Sequence, residues 1–173
     1  RDPRDCAASL KRMPWWNRES YHSVLAWGQS VDLTAKAARR WSVITVQYER
    51  LVADPEHELK ALCAALGEDY DPAMSAPEEL GPSVLPDRVW HRSTRGNPPT
   101  MSRIGQWQGK LEPWEVALCE TVLGERMQRF GYELTGAGRP AAEHLARYAY
   151  VYATRTQHRR LELLRDRWRQ RSE

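Results

Sequence analysis

The first ten residues, RDPRDCAASL, set two arginine–aspartate pairs around Pro3 and then run into small apolar residues that include Ser9. A proline followed by an acidic residue and apolar spacing marks a corner at which a helix starts. The free N–H groups and partial positive charge of a helix start attract anions. Arg1 would add a forked cationic donor to such a corner, and Ser9 a hydroxyl. Together they could hold a phosphate. A plainer assignment pairs Arg1 with Asp5 and leaves Ser9 on a helix surface, and this stretch alone leaves both open.

Other residue types narrow the chemistry further. The histidines, His22, His57, His91, His144 and His158, are scattered, and no CxxC or HxxxH spacing occurs, so no metal site is expected. The three cysteines, Cys6, Cys63 and Cys119, are odd in number and sit in apolar helical contexts. They predict buried thiols in a reducing compartment, and hence a cytoplasmic setting. The aromatic residues Trp15, Trp16, Tyr21 and Trp27 cluster in sequence; aromatic walls suit an apolar or sugar-like molecule, and burial in the core is the plainer role for at least half of them. The stretch HRSTRGNPPTMSRIGQWQGK, from His91 to Lys110, is basic, rich in hydroxyls and carries Trp107, a composition that argues for a functional loop.

Two further stretches, YERLVADPEHELKALCAALG from Tyr48 and SRIGQWQGKLEP from Ser102, follow the arginine–serine corner in order. With it they resemble the family of sulfotransferase domains that use 3′-phosphoadenosine 5′-phosphosulfate (PAPS). The likeness spans residues 1 to 133, about the C-terminal two thirds of such a domain. It implies that Arg1 and Ser9 grip the 3′-phosphate of the cofactor and that Tyr48 lies near its adenosine. It implies adenine contacts from the loop around Arg92 and Ser93. The run from Thr100 to Gly105 matches the loop closing over the 3′-phosphate, with Ser102, Arg103 and Gly105 as its contributors. Many relatives place Arg-Lys-Gly there, whereas this chain has Thr100-Met101-Ser102-Arg103. Trp15, Trp16 and Tyr21 fall where relatives build the acceptor pocket. Trp107 is expected to anchor its loop in the core.

The resemblance also implies parts that this sequence does not contain. The strand–loop–helix that cradles the 5′-phosphosulfate, and the general base of the family, both belong upstream of Arg1. The catalytic residue is therefore unknown, and this chain is expected to supply the 3′-phosphate half of the cofactor site without turnover of its own. No metal is implied. The expected acceptor is a hydroxyl or amine on a small molecule, sugar or lipid. No nucleic-acid partner is expected, and homo-oligomerisation is left open.

These residues need elements to position them. Cys6, Leu10 and Met13 sit at helical spacing from Asp5 onward, and a longer helical pattern runs from Glu19 to Arg39. SVITVQY, Ser42 to Tyr48, has the β-branched run of a buried parallel strand. Asp54, Pro55 and Gly67 bracket a helix with Leu59, Leu62, Cys63 and Leu66 as its apolar stripe. Prolines at 72, 77, 82, 86, 98 and 99 make residues 68–112 loop-rich. Pro113 opens a helix with Val116, Leu118, Val122, Leu123, Met127 and Phe130 inward, and Gly131 ends it. From Pro140 to Arg171 the pattern predicts one or two amphipathic helices, carrying Leu145, Tyr148 and Tyr152, then Leu161, Leu164 and Trp168. The fold expected is α/β: a P-loop-like parallel sheet flanked by helices, incomplete at its N-terminal strands and helix-rich toward its C-terminus. One strand is expected to end just before Arg1.

A chain of 173 residues with 41% hydrophobic and 28% charged residues is that of a globular protein, and no run approaches the roughly 18 apolar residues of a membrane span. Its net charge of +3 is uneven. From Arg139 onward nine arginines face four acids, a surplus of five, while the first 138 residues carry 17 basic and 19 acidic side chains. The sequence thus divides into a sulfotransferase-like part, residues 1–138, and a basic helical tail, residues 139–173. That tail supports a competing function, a non-enzymatic module that binds an anionic polymer or nucleic acid. A P-loop kinase relative is the other alternative, although it would not need the arginine–serine pair.

Overall fold

The computed structural model of the chain describes residues 1–75 and 101–170. Six α-helices run through them: α1 (Pro3–Leu10), α2 (Ser20–Ala37), α3 (Tyr48–Ala53), α4 (Pro55–Leu66), α5 (Pro113–Arg129) and α6 (Ala142–Gln170). Short 3₁₀ turns occupy Pro72–Ser75, Met101–Arg103 and Gln106–Gly109. The chain divides into two compact units, one joining Asp2–Lys36 to Trp107–Glu173, the other joining Arg1 to Ala37–Gln106.

In the first unit α5 is the central element. Pro113 occupies its first turn, and a reciprocal capping box closes its start, with the Glu115 side chain accepting from the Glu112 backbone N–H at 2.7 Å. Leu118, Cys119, Leu123 and Met127 are almost entirely hidden from solvent. Val24 of α2 packs with Cys119, Leu123 and Met127, while Tyr21 and Leu25 of α2 meet Leu118 and Val151 of α6. Leu145 and Tyr148 lie on the same face of the tail helix. Ala7 and Ala8 of α1 join Trp107, Leu111 and Val116 in a third cluster. Small residues are what let α1 sit against that corner.

The second unit is built on α3 and α4. Asp54 caps α4 by accepting from the His57 N–H at 3.1 Å, Pro55 fills the first helical position, and Gly67 ends the helix at φ +74°. Cys63 is buried with its sulfur 3.8 Å from that of Met74, Leu59 and Leu62 are half-buried, and Leu66 is exposed. The expected stripe on α4 is thus only partly covered.

The expected parallel sheet is overturned, and with it the P-loop-like α/β class: the described residues are helical and contain no strand. Residues 42–47 carry no regular secondary structure and have no neighbouring strand among the described residues, and Tyr48 opens a helix where it was expected to close a strand. Val43, Ile44 and Val46 are 37–41% exposed, whereas a central parallel strand is covered on both faces. β-Branched residues favour a strand only when neighbours complete the ladder and the packing, and no such neighbour lies among the described residues. Smaller differences follow from capping. α1 starts at Pro3, two residues before Asp5, because Asp2 is its cap: the Asp2 carboxylate accepts from the Arg4 N–H at 2.8 Å. The tail forms one continuous helix.

Candidate functional site

In the second unit the Arg1 guanidinium lies 4.6 Å from the centre of the Tyr48 ring, within cation–π range, and its Nη2 donates to the Arg103 carbonyl at 3.0 Å. Tyr48 reaches this position because α3 begins at it, after Gln47 in an extended conformation. The Met101–Arg103 turn is closed by the Ile104 N–H donating to the Met101 carbonyl at 2.9 Å and by the Gln106 side chain donating to the Ser102 carbonyl at 2.6 Å. Gly105 follows at φ +74°, a conformation that an L side chain would strain. Arg1, Tyr48, Ser102, Arg103 and Gly105 therefore belong to one unit, with Arg1 contacting both Tyr48 and Arg103. Ser9 belongs to the other unit, half-buried near the end of α1. Arg92 and Ser93 lie outside the described residues.

The rest of RDPRD is structural. Arg4 is buried, with Nη2 2.7 Å from Asp2 Oδ2, Nη1 2.8 Å from Glu120 Oε1, and Nη2 also donating to the Glu133 carbonyl at 2.9 Å. Its guanidinium stacks 4.3 Å over the Trp107 ring. Asp5, also buried, accepts from the Trp107 backbone N–H at 3.0 Å. Trp107 is thus held in the core from both sides. Glu120 accepts as well from the Thr135 N–H and hydroxyl, at 2.9 and 2.8 Å. Burial would raise the Glu120 carboxyl, but these donors and Arg4 hold it below its ordinary value.

The aromatic residues separate into two groups. Trp15 and Trp16 meet edge to face at 6.1 Å, and Trp15 remains 55% exposed. Tyr21 is buried, and its hydroxyl shares a 2.8 Å hydrogen bond with His144 Nδ1 of α6. The His144 ring stacks flat on Trp114 at 4.1 Å. Burial, with help from Glu19, pushes the Tyr21 phenol up. Beside it Glu115 accepts from Lys11 Nζ at 2.8 Å and from the Ser20 hydroxyl. Burial opposes ionisation of Glu115, yet the bonds from Lys11, Ser20 and Glu112 keep its carboxyl below the usual range.

Sequence reasoning did not find Arg4, Trp114, Glu115 or His144, because their partners lie far along the chain. The local hint was the capping box spacing of Glu112 and Glu115. None of the three cysteines forms a disulfide, and Cys63 and Cys119 are buried. Among the described residues no cluster of His, Cys, Asp and Glu could hold a metal ion, and no helix is long and apolar enough to cross a membrane.

No curated protein and no solved structure matches the chain significantly. The model of the sulfotransferase family does match, over residues 1–72, the stretch that carries Arg1, Ser9, Tyr21 and Tyr48. Those 72 residues are under half of the 173-residue chain, and over them the chain is similar to sulfotransferases.

Proposed function

We propose that the chain serves a PAPS-dependent sulfotransferase and contributes the part of its cofactor site that recognises the 3′-phosphate and adenosine. One observation carries this: the Arg1 guanidinium is oriented at once by the Tyr48 ring and the Arg103 carbonyl. A planar fork held in one direction is a strong donor for a phosphate monoester, and a tyrosine ring beside it suits a nucleoside. The donor chemistry thus fits the nucleotide. Arg1, Ser102 and Arg103 would meet the 3′-phosphate, and Tyr48 the adenosine. Gly105 allows the turn that brings a backbone close, and Arg92 and Ser93 are the further candidates for adenine. Bound there, PAPS would supply the sulfuryl group for transfer to a hydroxyl or amine on a small molecule, sugar or lipid. Trp15, Trp16 and Tyr21 are the candidates for contact with that acceptor. Cysteines without a disulfide suit a reducing, cytoplasmic setting.

Calorimetric titration tests the proposal with two nucleotides that differ in the 3′-phosphate. The full chain is expected to bind adenosine 3′,5′-bisphosphate about tenfold or more tightly than adenosine 5′-monophosphate, as one lost charge-assisted hydrogen bond implies. Arg1→Ala is expected to remove most of that preference. Equal affinity of the unaltered chain for the two nucleotides would refute it.

A further inference from the structure

A pocket of about 250 Å³ opens where the chain after α1 and the start of α2 face the first turn of α5. Its walls include the rings of Tyr21 and Trp114, 5.2 Å apart and tilted by 32°. Both rings are fixed from behind, Tyr21 by its hydrogen bond to His144 and Trp114 by the flat stack on the same imidazole. The pocket floor holds Ser20 and Glu115, and its rim Lys11, Arg18 and Glu19.

The charges are already sorted. Lys11 is spent on Glu115 at 2.8 Å, and Glu19 on Arg147 at 3.2 Å. Arg18 alone among the charged lining residues makes no hydrogen bond or ion pair to another described residue. Among the described residues the pocket therefore presents one uncompensated guanidinium beside two held aromatic rings.

Size selects the ligand further. A cavity of about 150 Å³ accommodates benzene, whereas drug-sized ligands occupy about 300–1,000 Å³. The volume here fits one ring with a small charged substituent and is too small for a nucleotide. Two carboxylates in the lining disfavour a dianion, since a single free arginine balances one charge.

We infer that this pocket binds a monocyclic aromatic monoanion, such as an aryl carboxylate, with its ring against Tyr21 and Trp114 and its oxyanion on Arg18. A guanidinium matches a carboxylate through two parallel N–H···O bonds, and the Ser20 hydroxyl and the Lys11–Glu115 pair line the remaining wall. This inference does not rest on the cofactor assignment, which concerns residues of the other unit.

Benzoate and its neutral isostere benzamide are the probes, titrated into the full chain and followed by ligand-observed NMR and by tryptophan fluorescence. Benzoate is expected to bind about tenfold more tightly than benzamide. Arg18 is exposed, so Arg18→Ala should fold normally, and it is expected to bring benzoate down to the affinity of benzamide. Trp114→Leu, which keeps an apolar side chain, is expected to weaken both probes together. Equal binding of benzoate and benzamide, benzoate affinity unchanged in Arg18→Ala, or no saturable binding of either probe would each overturn the inference.

Discussion

Arg4 holds two carboxylates at once and covers the face of Trp107, all within the core. Buried ion pairs gain little over apolar packing, because desolvation cancels much of the attraction; removing one partner is another matter, since the remaining charges stay buried. Arg4→Ala strands Asp2 and Glu120 together and uncovers the Trp107 ring. It is expected to cost about 3–5 kcal/mol in urea unfolding of the full chain. Arg126 provides the contrast. It forms a fork to Asp32 at 2.8 and 2.9 Å, but Asp32 is more than half exposed, so Arg126→Ala is expected to cost less than about 1 kcal/mol. Comparable losses in the two variants would contradict this account of the core. The same contrast explains what could be read from RDPRD alone. A helix start and an arginine on offer are local properties and visible in the sequence. Which of the two arginines is buried depends on Glu120, 116 residues away from Arg4, and no spacing rule reaches that far.

Helix limits were legible wherever the cap chemistry was local. Asp54, Pro55 and Gly67 bracket α4, and Pro113 and Gly131 bracket α5, as their side chains and backbone preferences demand. SVITVQY was misjudged because a strand is a property of a pair: the same β-branched run, without a neighbour among the described residues, forms no strand and stays half exposed. How helices approach each other was not legible either, and Gly28 shows why. Nothing in its surroundings in sequence distinguishes it from a weak helix position. In the structure a Cβ there would stand 2.9 Å from Leu123 Cδ2, and Leu123 is locked in the core of α5. Gly→Ala within a helix normally gains up to about 1 kcal/mol. At Gly28 overpacking of about 1–3 kcal/mol should outweigh that gain, so Gly28→Ala is expected to lower the urea midpoint. Gly109→Ala meets nothing within 4 Å and is expected to leave the midpoint unchanged or raise it slightly. A Gly28→Ala variant at least as stable as the parent would mean that α2 and α5 do not pack this closely.

At the scale of the molecule, the unit joining Asp2–Lys36 to Trp107–Glu173 carries shifted groups that constrain its stability from both sides of neutral pH. Asp32, Glu115 and Glu120 all titrate below their ordinary values in the folded chain. For a depressed carboxyl the stabilisation is complete above the unfolded pKa, about 4, and is lost as pH falls through the folded value. His22 is lowered by burial and by Arg18, so folding disfavours its proton; its penalty begins as pH drops below about 6.5. On the alkaline side, burial raises Tyr21, Tyr148 and the Cys119 thiol. Those groups stay neutral in the fold while the unfolded chain ionises, so stability falls once pH exceeds about 9. The thermal midpoint of the full chain is therefore expected to be flat between about pH 6.5 and 9 and to decline on either side. Two variants assign the limbs. Glu115→Gln should lower the midpoint at pH 7, by loss of the charged partner of Lys11 and of the capping box, and should make the acid decline shallower. Tyr148→Phe removes a titrating phenol while keeping its ring among Leu123, Met127 and their neighbours, and should make the alkaline decline shallower. A midpoint that rises from pH 6 to pH 4 would be inconsistent with every one of the acid-side shifts at once, since each of them has folding release protons in that range.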